Sequence, residues 1–311
     1  MTDIQSNKDE YQINIDKLTT KAINEVEIRK LPDDVSISTM TITCALDTEF
    51  LCGNIARYID LKSTGILSVS NGKFGDPHTN RTIIDYKRGK KGKTRRNKKV
   101  FYNQVSMNVS IASKKKKPVN IKLFSNGAIQ MTGCKTVENA IDTLAKILPA
   151  LQPVKAIIDY KEMKVIDKPF VLNADMLNIK YIKNIKIAMI NSGFKLPFKI
   201  DRGKLYNLLL SENYDCFFDP GKHAAVNIKF LHPDKTITIF IFEKGSIIIT
   251  GGRNCSQIAD AYDFINKYLI FNYKHIVKND ALMNSNIIKY LDPKNIITID
   301  SDNFSIDDLS D

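Results

Sequence analysis

The chain has 311 residues, 43% of them apolar and 26% charged, which is enough for one or two cores and unlike a chain disordered throughout. It has no run of about 18 apolar residues, and its start, MTDIQSNKDEYQ, lacks the pattern of an export signal, so we expect an intracellular protein without a membrane span. Five cysteines, an odd number without CxxC spacing, argue against a disulfide framework or a cysteine zinc site and predict free thiols.

The net charge of +12 is concentrated in two segments. Residues 87–99, KRGKKGKTRRNKK, hold nine basic residues and no acidic one, and four lysines follow at 114–117. The rest of the chain is nearly neutral, and residues 300–311 carry five Asp. This distribution favours contact with a polyanion at two places. A solvated loop or a nuclear-import signal is the alternative for each run.

In chain order, strands are predicted over 35–42 and 104–111, with a loop insertion at about 62–103 that is rich in Gly, Asn, Lys and Arg and in part disordered. Residues 121–136, IKLFSNGAIQMTGCKT, then begin a repeat. They match residues 239–254, IFIFEKGSIIITGGRN, at six identical positions.

Each copy predicts two alternating strands joined by a glycine-containing turn, followed by a helix capped by Thr136 or Asn254. The inward helix positions are Val137, Ala140, Ile141, Leu144 and Ile147 in the first copy and Ile258, Ala259, Tyr262, Ile265 and Leu269 in the second. Further strands are predicted over 184–190 and 224–231. The pattern indicates antiparallel sheets with helices on one face and the other face open.

No catalytic motif is present in the sequence. Gly92-Lys93-Thr94 resembles the end of a phosphate-binding loop, but Lys87 stands where that motif needs glycine. The four histidines, His78, His223, His232 and His275, show no metal-ligand spacing. We therefore expect a protein that is not an enzyme and needs no cofactor or metal.

The segments LFSNGAIQMTGCKT and FIFEKGSIIITGGR resemble the signature of the TATA-box-binding protein family, in which a strand ending in Phe precedes a Ser-Gly turn, a strand and Thr-Gly-Ala-Lys. Lys195-Leu196-Pro197, Tyr214, Pro220-Gly221 and the residues 182–185 are similar to that family's Lys-Phe-Pro, Tyr, Pro-Gly and Ile-Gln-Asn-Ile. The resemblance covers about 35–61, 104–148 and 182–270. The basic insertion and lysine-rich composition indicate a divergent version encoded by a large DNA virus.

The resemblance implies an α+β saddle of two pseudo-symmetric repeats, with a curved antiparallel sheet and helices on its convex side. It divides the chain into an N-terminal extension (1–34), a first repeat (35–148) containing the insertion, a linker (149–181), a second repeat (182–270) and a C-terminal extension with an acidic tail (271–311).

The function that the resemblance implies is that of a minor-groove DNA-binding transcription initiation factor, which bends promoter DNA and nucleates pre-initiation complex assembly. Its implied partners are double-stranded, AT-rich promoter DNA, bound by a monomer, a general transcription factor and a multisubunit RNA polymerase. It would act in the nucleus or in a cytoplasmic viral factory. The alternative is a scaffold or nonspecific architectural DNA-binding protein that has lost TATA specificity.

Carried over by position, the resemblance assigns Phe124 and Phe242 as wedges between base steps, although a Phe on an alternating strand is more often a core residue. It assigns further groove contacts to Asn184, Thr132, Thr250, Ile37 and Ile248. The basic contacts would be Lys122 and Lys186 on the sheet and Lys114, Lys115, Lys116 and Lys117 beside the DNA backbone.

Several residues depart from the family pattern. Val35 stands where the first repeat should supply an asparagine, and Asp219 stands where a wedge Phe precedes Pro-Gly, with Phe218 one residue away. In the first repeat, the position equivalent to that wedge Phe falls near Gln104. On the DNA face, Lys122, Lys186 and Gln130 replace apolar residues. These changes predict weaker readout by shape and wedges and more contact with phosphates or base edges.

Overall fold

The structure is a computed structural model that describes residues 15–17, 31–61, 63–72, 78–83, 101–111 and 117–278. The basic run 87–99, three lysines of 114–117 and the acidic tail therefore lie outside the described residues. The chain divides into two compact units, one of residues 1–192 with 250–260 and the other of 193–249 with 261–311. No helix in the described part is long and apolar enough to cross a membrane.

The elements alternate short strands with few helices. Up to residue 182 they are β1 (Ser36–Ala45), α1 (Cys52–Tyr58), β2 (Ile66–Ser70), β3 (Asn80–Thr82), β4 (Gln104–Val109), β5 (Val119–Phe124), β6 (Ala128–Cys134), α2 (Val137–Leu151), β7 (Lys155–Asp159), β8 (Lys164–Lys168) and the 3₁₀ turns Ala174–Met176 and Ile179–Tyr181. After these come β9 (Lys183–Lys195), α3 (Arg202–Ser211), β10 (Cys216–Phe217), β11 (Ala225–His232), β12 (Lys235–Phe242), β13 (Ser246–Thr250), α4 (Cys255–Phe271) and α5 (Tyr273–Ile276).

The first unit contains strands in the order β9-β1-β6-β5-β4-β2-β3, and β7 with β8 forms a separate hairpin. Alternate residues of these strands, such as Ile42, Leu123 and Met131, are fully buried. Helix α2 lies against β5 and β6 and is capped by Thr136, whose side chain accepts from the Asn139 amide. All five predicted inward positions of α2 are buried, so that prediction is confirmed.

The second unit contains strands in the order β10-β11-β12-β13-β9. Its core includes Ile228 and Ile239, and the ring of Phe230 on β11 stacks on Phe264 of α4 with centroids 5.1 Å apart. The buried stripe of α4 is Ile258, Ala261, Ile265 and Leu269. The predicted inward positions Ala259 and Tyr262 are only half-buried, because the spacing through 258, 261, 265 and 269 follows the helical period more closely.

The prediction that 62–103 is an inserted loop is wrong in part. Strands β2 and β3 lie within it, β2 pairs with both β3 and β4, and Ile66 and Val69 are fully buried. The Gly-, Asn- and Lys-rich flanks dominate the composition and hide the short apolar run ILSV. The predicted linker 149–181 is also partly core, since Phe170 is buried and its carbonyl accepts from the Leu51 amide at 2.9 Å.

Matching hydrogen bonds define the repeat in three dimensions. The amide of Leu46 donates to Gly127 O at 3.1 Å, and that of Leu196 donates to Gly245 O at 2.8 Å. The bonded residues are 81 positions apart in the first copy and 49 apart in the second. The first copy therefore has the longer connection, and it is here that the basic insertion lies.

Candidate functional site

Strand alternation gives each unit a sheet face that its helices do not cover. On the first open face, side chains alternate with core residues along β1, β6, β5, β4, β2 and β3. Those side chains are Thr41 and Thr43, Gln130 and Thr132, Asn120, Lys122 and Phe124, Gln104, Ser106 and Asn108, Ser68 and Ser70, and Asn80 and Thr82. Apart from Phe124, these side chains are polar, and the face also carries the apolar cross-strand pair Ala45 and Ala128 at the end of β1 and the start of β6.

Two cross-strand rows run across the first open face. The threonine row is Thr41, Thr132, Asn120, Asn108, Ser68 and Thr82, and the glutamine row is Thr43, Gln130, Lys122, Ser106, Ser70 and Asn80. In the threonine row, Asn120 Nδ2 donates to Asn108 Oδ1 at 3.1 Å, and Asn108 Nδ2 donates to Ser68 Oγ at 2.8 Å. This polar surface extends well beyond the Lys122 and Gln130 substitutions that the sequence indicated.

Phe124 ends β5 on this face, opposite Gln104 of β4, and its side chain is half-buried. The turn after it is held by Gly127, whose φ of 84° belongs to the left-handed region that favours glycine. A Cβ at this residue would lie 2.6 Å from the carbonyl oxygen of Thr48. The turn is therefore packed against the loop that follows β1, which fixes the position of Phe124.

The second open face is richer in aromatic residues. Along β12, Phe240 and Phe242 alternate with buried isoleucines. Asn227 of β11 lies between Phe240 and Phe217 of β10, and the Phe217 side chain is 50% exposed. His223 lies beside both β12 rings, with centroid separations of 5.2 Å to Phe240 and 6.1 Å to Phe242.

Phe217 and Phe218, although adjacent in sequence, lie in two different environments. The ring of Phe218 lies 6.0 Å from that of Tyr206 and 5.4 Å from the guanidinium of Arg202, both on α3. Asp219 accepts from the Gly221 amide at 3.0 Å, in a turn away from the sheet. Phe217, rather than Phe218, is therefore the exposed aromatic residue of β10. Sequence reasoning missed it because only the pairing of β10 with β11 shows which ring faces outward.

The polar residues predicted from the repeat lie on the open side of their strands. Thr132 stands opposite Thr41, and the Thr250 hydroxyl bonds the side-chain oxygen of Asn191. Asn184 lies seven positions before Asn191 on β9, roughly 20 Å away along an extended strand, and has a φ of 52°. The structure therefore places Asn191, which sequence reasoning missed, beside Thr250, and Asn184 elsewhere.

The amides of Leu46 and Leu196 make equivalent hydrogen bonds to Gly127 and Gly245, so β1 and β9 can be aligned at these two leucines. In that alignment Thr41 corresponds to Asn191, and Asp34 corresponds to Asn184. Val35, the expected counterpart of Asn184, is buried. The offset of 118 found in the sequence applies only after the insertion, so it could not reveal this correspondence.

The remaining predicted residues are distributed over both faces and their edges. Ile37 is half-buried on β1, Lys186 is exposed on β9, and Ile248 on β13 is 39% exposed. Lys117 is exposed just before β5, whereas Lys114, Lys115 and Lys116 lie outside the described residues.

Three buried polar atoms on these strands have no hydrogen-bond partner within the described ranges. They are the hydroxyl oxygens of Thr39 and Thr43 and the side-chain oxygen of Asn227. A buried polar group without a partner costs about 1–3 kcal/mol. A bound ligand that supplies donors to these strands would recover part of that cost.

Burial makes the thiols of Cys44, Cys52 and Cys134 poor nucleophiles. Burial raises the pKa of Cys44 and of Cys134 to about 12 and raises that of Cys52. A thiol with so high a pKa is almost entirely protonated near neutral pH. Among the described residues, no three His, Cys, Asp or Glu side chains form a group that could hold a metal ion.

A polar cavity of about 270 Å³ lies in the second unit, lined by Ile200, Asp201, Arg202, Gly203, Phe218, Pro220, Glu243 and Lys278. Glu243 accepts from Arg202 at 2.8 Å and from Lys278 at 2.9 Å. The cluster secures the turn that follows Phe242 against the start of α3.

The chain matches a family model and is similar in sequence or structure to several known proteins. The family model described as "Transcription factor TFIID (or TATA-binding protein, TBP)" matches residues 92–154 and 184–270. A TATA-box-binding protein-like protein of Acanthamoeba polyphaga mimivirus is 38% identical over 267 residues, covering 81% of this chain and 70% of the relative. Methanococcus jannaschii TBP superposes with a TM-score of 0.43 at 16% identity, covering 78% of this chain and 99% of its own. A 71-residue segment is 30% identical to GTP cyclohydrolase 1 of Flavobacterium johnsoniae, covering 23% of this chain and 29% of that enzyme.

Proposed function

The chain belongs to the TATA-box-binding protein family of DNA-binding transcription factors, and on this premise we propose that it is an initiation factor that binds promoter DNA in the minor groove, bends it and nucleates the pre-initiation complex. The prediction of a divergent member of viral type is confirmed by the identity to the mimivirus relative. The predicted α+β class, with two repeats of antiparallel sheet and helices, is confirmed as well. The family is one of DNA-binding factors and not of enzymes.

The observation that carries the proposal is the aromatic surface of the second open face. Phe242 stands on the side of β12 opposite the core, beside Phe240, and Phe240 lies across Asn227 of β11 from the exposed Phe217. Apolar rings inserted between base steps unstack and kink the duplex, and the energy lost is offset by contact with more protein surface. Phe124 supplies the corresponding ring in the first copy.

The other predicted contacts remain part of the proposal. Thr132, Thr250, Ile37, Ile248 and Asn184 would contact the groove, as polar readers or apolar floor contacts. Lysines 122 and 186 on the strands and 114–117 before β5 would neutralise phosphates, which releases counterions and makes the affinity depend on salt. A general transcription factor and a multisubunit RNA polymerase are the proposed partners, in the nucleus or a viral factory.

The test replaces Phe242, the proposed wedge residue of the second copy. We expect Phe242→Ala to abolish bending of a TATA-containing duplex, measured by fluorescence energy transfer between its ends, and to weaken binding roughly tenfold or more, since stacking of a base on an aromatic side chain contributes about 1–3 kcal/mol. The matched control is Phe271→Ala, because Phe271 is 83% exposed at the end of α4 and not on the sheet. Unchanged bending in Phe242→Ala, or an equal loss in the control, would refute the wedge role.

The second candidate is a scaffold or nonspecific architectural protein. The polar first open face and the charge of residues 87–99 favour it. In that case a TATA-containing and a GC-rich duplex would bind equally, and both affinities would collapse between low and near-physiological salt. Deletion of 87–99 would then reduce binding more than Phe242→Ala. A preference for the AT-rich duplex that survives added salt supports initiation instead.

A further inference from the structure

The two copies of the repeat present different chemistry at the same positions of their open faces. Lys122 and Gln130 of the first copy correspond, at the offset of 118, to Phe240 and Ile248 of the second. The pairs occupy equivalent strands, and all four side chains lie on the open side. The first face thus offers an amide and an ammonium where the second offers an aromatic ring and an aliphatic group.

We propose that Gln130 reads a guanine in the minor groove, so that the half of the DNA site on the first open face contains a G·C pair while the half on the second face is restricted to A·T pairs. The inference rests on the proposed minor-groove binding and adds a sequence rule to it.

The surroundings of Gln130 support this role. Gln130 lies in the glutamine row between Thr43 and Lys122, where its side chain is half-buried. Its amide has no hydrogen-bond partner within the described part of the chain, unlike Asn120, which donates to Asn108 and Ser106. A rigid strand pair therefore holds an amide whose donor and acceptor are both available to a ligand.

The chemistry of the groove selects guanine. In the minor groove an A·T pair shows only acceptors, whereas a G·C pair adds the guanine N2 amino group as a donor. A glutamine amide can accept from that amino group and donate to the neighbouring N3 acceptor at the same time. An aliphatic side chain such as Ile248 would leave the amino group without a partner, so a G·C pair over the second face is disfavoured.

The experiment uses inosine, which lacks the N2 amino group but is otherwise like guanine. Full-length protein is titrated by anisotropy against an AT-rich duplex in which each position in turn carries A·T, G·C or I·C. We expect positions confined to one half of the site where G·C binds roughly tenfold more tightly than I·C. In Gln130→Ile that preference for G·C should be lost or reversed, because an aliphatic side chain leaves the amino group without a partner. An unchanged midpoint of urea denaturation shows that the variant is folded.

A reciprocal variant and a surface control complete the design. We expect Ile248→Gln to create tolerance of G·C in the other half of the site. Asn266→Leu, on α4 and away from both open faces, should leave every duplex preference unchanged.

Each alternative outcome has a defined meaning. If I·C binds as well as or better than G·C at every position while the A·T duplex is still bent, the guanine inference is overturned and the initiation role stands. If G·C and I·C bind alike and both differ from A·T, the contact is in the major groove and both proposals fail. Loss of all sequence preference and bending overturns the proposed function and the inference with it.

Discussion

Gly127 is the residue at which a single methyl group should do most damage to the proposed DNA-binding surface. It lies in the turn between β5 and β6 with a φ of 84°, and its carbonyl accepts from the Leu46 amide at 3.1 Å. A Cβ there would meet the carbonyl oxygens of Leu46 and Thr48, and both are backbone atoms that cannot rotate away. We expect Gly127→Ala to displace the turn that positions Phe124.

The magnitude follows from two costs and one smaller gain. A left-handed conformation costs an alanine roughly 1–2 kcal/mol, and overpacking that shifts backbone costs about 1–3 kcal/mol more. The reduced entropy of the unfolded chain returns about 0.4–1 kcal/mol. The free energy of unfolding should therefore fall by about 2–4 kcal/mol.

The control is Gly65→Ala. Gly65 has a similar φ of 73°, but a Cβ there meets only the Lys146 side chain, at 3.8 Å. Urea denaturation of both variants separates the two costs, and we expect a loss of about 1 kcal/mol for Gly65→Ala. Equal losses in the two variants would show that the close approach to Leu46 and Thr48 has no energetic consequence and would refute the steric argument.

Two further predictions concern titratable groups. With a thiol reagent at pH 8, we expect Cys216 to be labelled in the native protein, because it is only half-buried. Cys44 and Cys134, with pKa values of about 12, should react only on unfolding. Equal labelling rates of the three thiols in the native protein would contradict this. The Lys278 hydrogen bond and the nearby Arg202 lower the pKa of Glu243 in the folded protein. The ionised Glu243 carboxylate therefore stabilises the fold above the ordinary glutamate pKa, and this stabilisation is lost as the pH falls through the pKa of the folded state. Glu243→Gln should thus lower the urea midpoint at pH 7, and its difference from the wild type should shrink as the pH falls below the ordinary glutamate pKa. A difference that stays constant as the pH falls would exclude this ion-pair cluster as its source.

The sequence predicted those parts of the fold that depend on local pattern. The β5–β6 hairpin, its glycine turn and the inward positions of α2 follow from alternation, turn chemistry and helical spacing within a few residues of one another. Strand β2 could not be found in the same way, because its pairing with β4 crosses a long connection of unfavourable composition. What buries Ile66 and Val69 is a nonlocal sheet contact.

The site was predictable to a smaller extent, because its geometry depends on strand register. The sequence identified Thr250, and it assigned the asparagine contact of the second repeat to Asn184 because residues 182–185, Ile-Lys-Asn-Ile, resemble the family's string. The structure instead places Asn191 beside Thr250 through the position of β9. Likewise, the polar rows of the first open face bring together residues from six strands, and no window of sequence contains them.

The six identities of the repeat can now be divided by what each residue does. Ile121 and Ile129, with Ile239 and Ile247, are buried in their units, and the glycines Gly127, Gly133, Gly245 and Gly251 all have positive φ. These eight residues maintain the strand-turn-strand framework. Six positions of the repeat lie on the open side of the first copy: 120, 122, 124, 128, 130 and 132. Only positions 124 and 132 hold the same residue in the second copy.

The two retained positions are the proposed wedge and the proposed polar contact, Phe124 with Phe242 and Thr132 with Thr250. Neither pair is needed to fill the core, because all four side chains lie on the side of the sheet away from it. A shared framework explains the isoleucines and glycines, but it does not explain why identity persists at these two open positions while their neighbours diverge. The proposed function would explain it, since each copy would then contact DNA through the same two chemical groups, and the divergent neighbours would give each open face its own base preference.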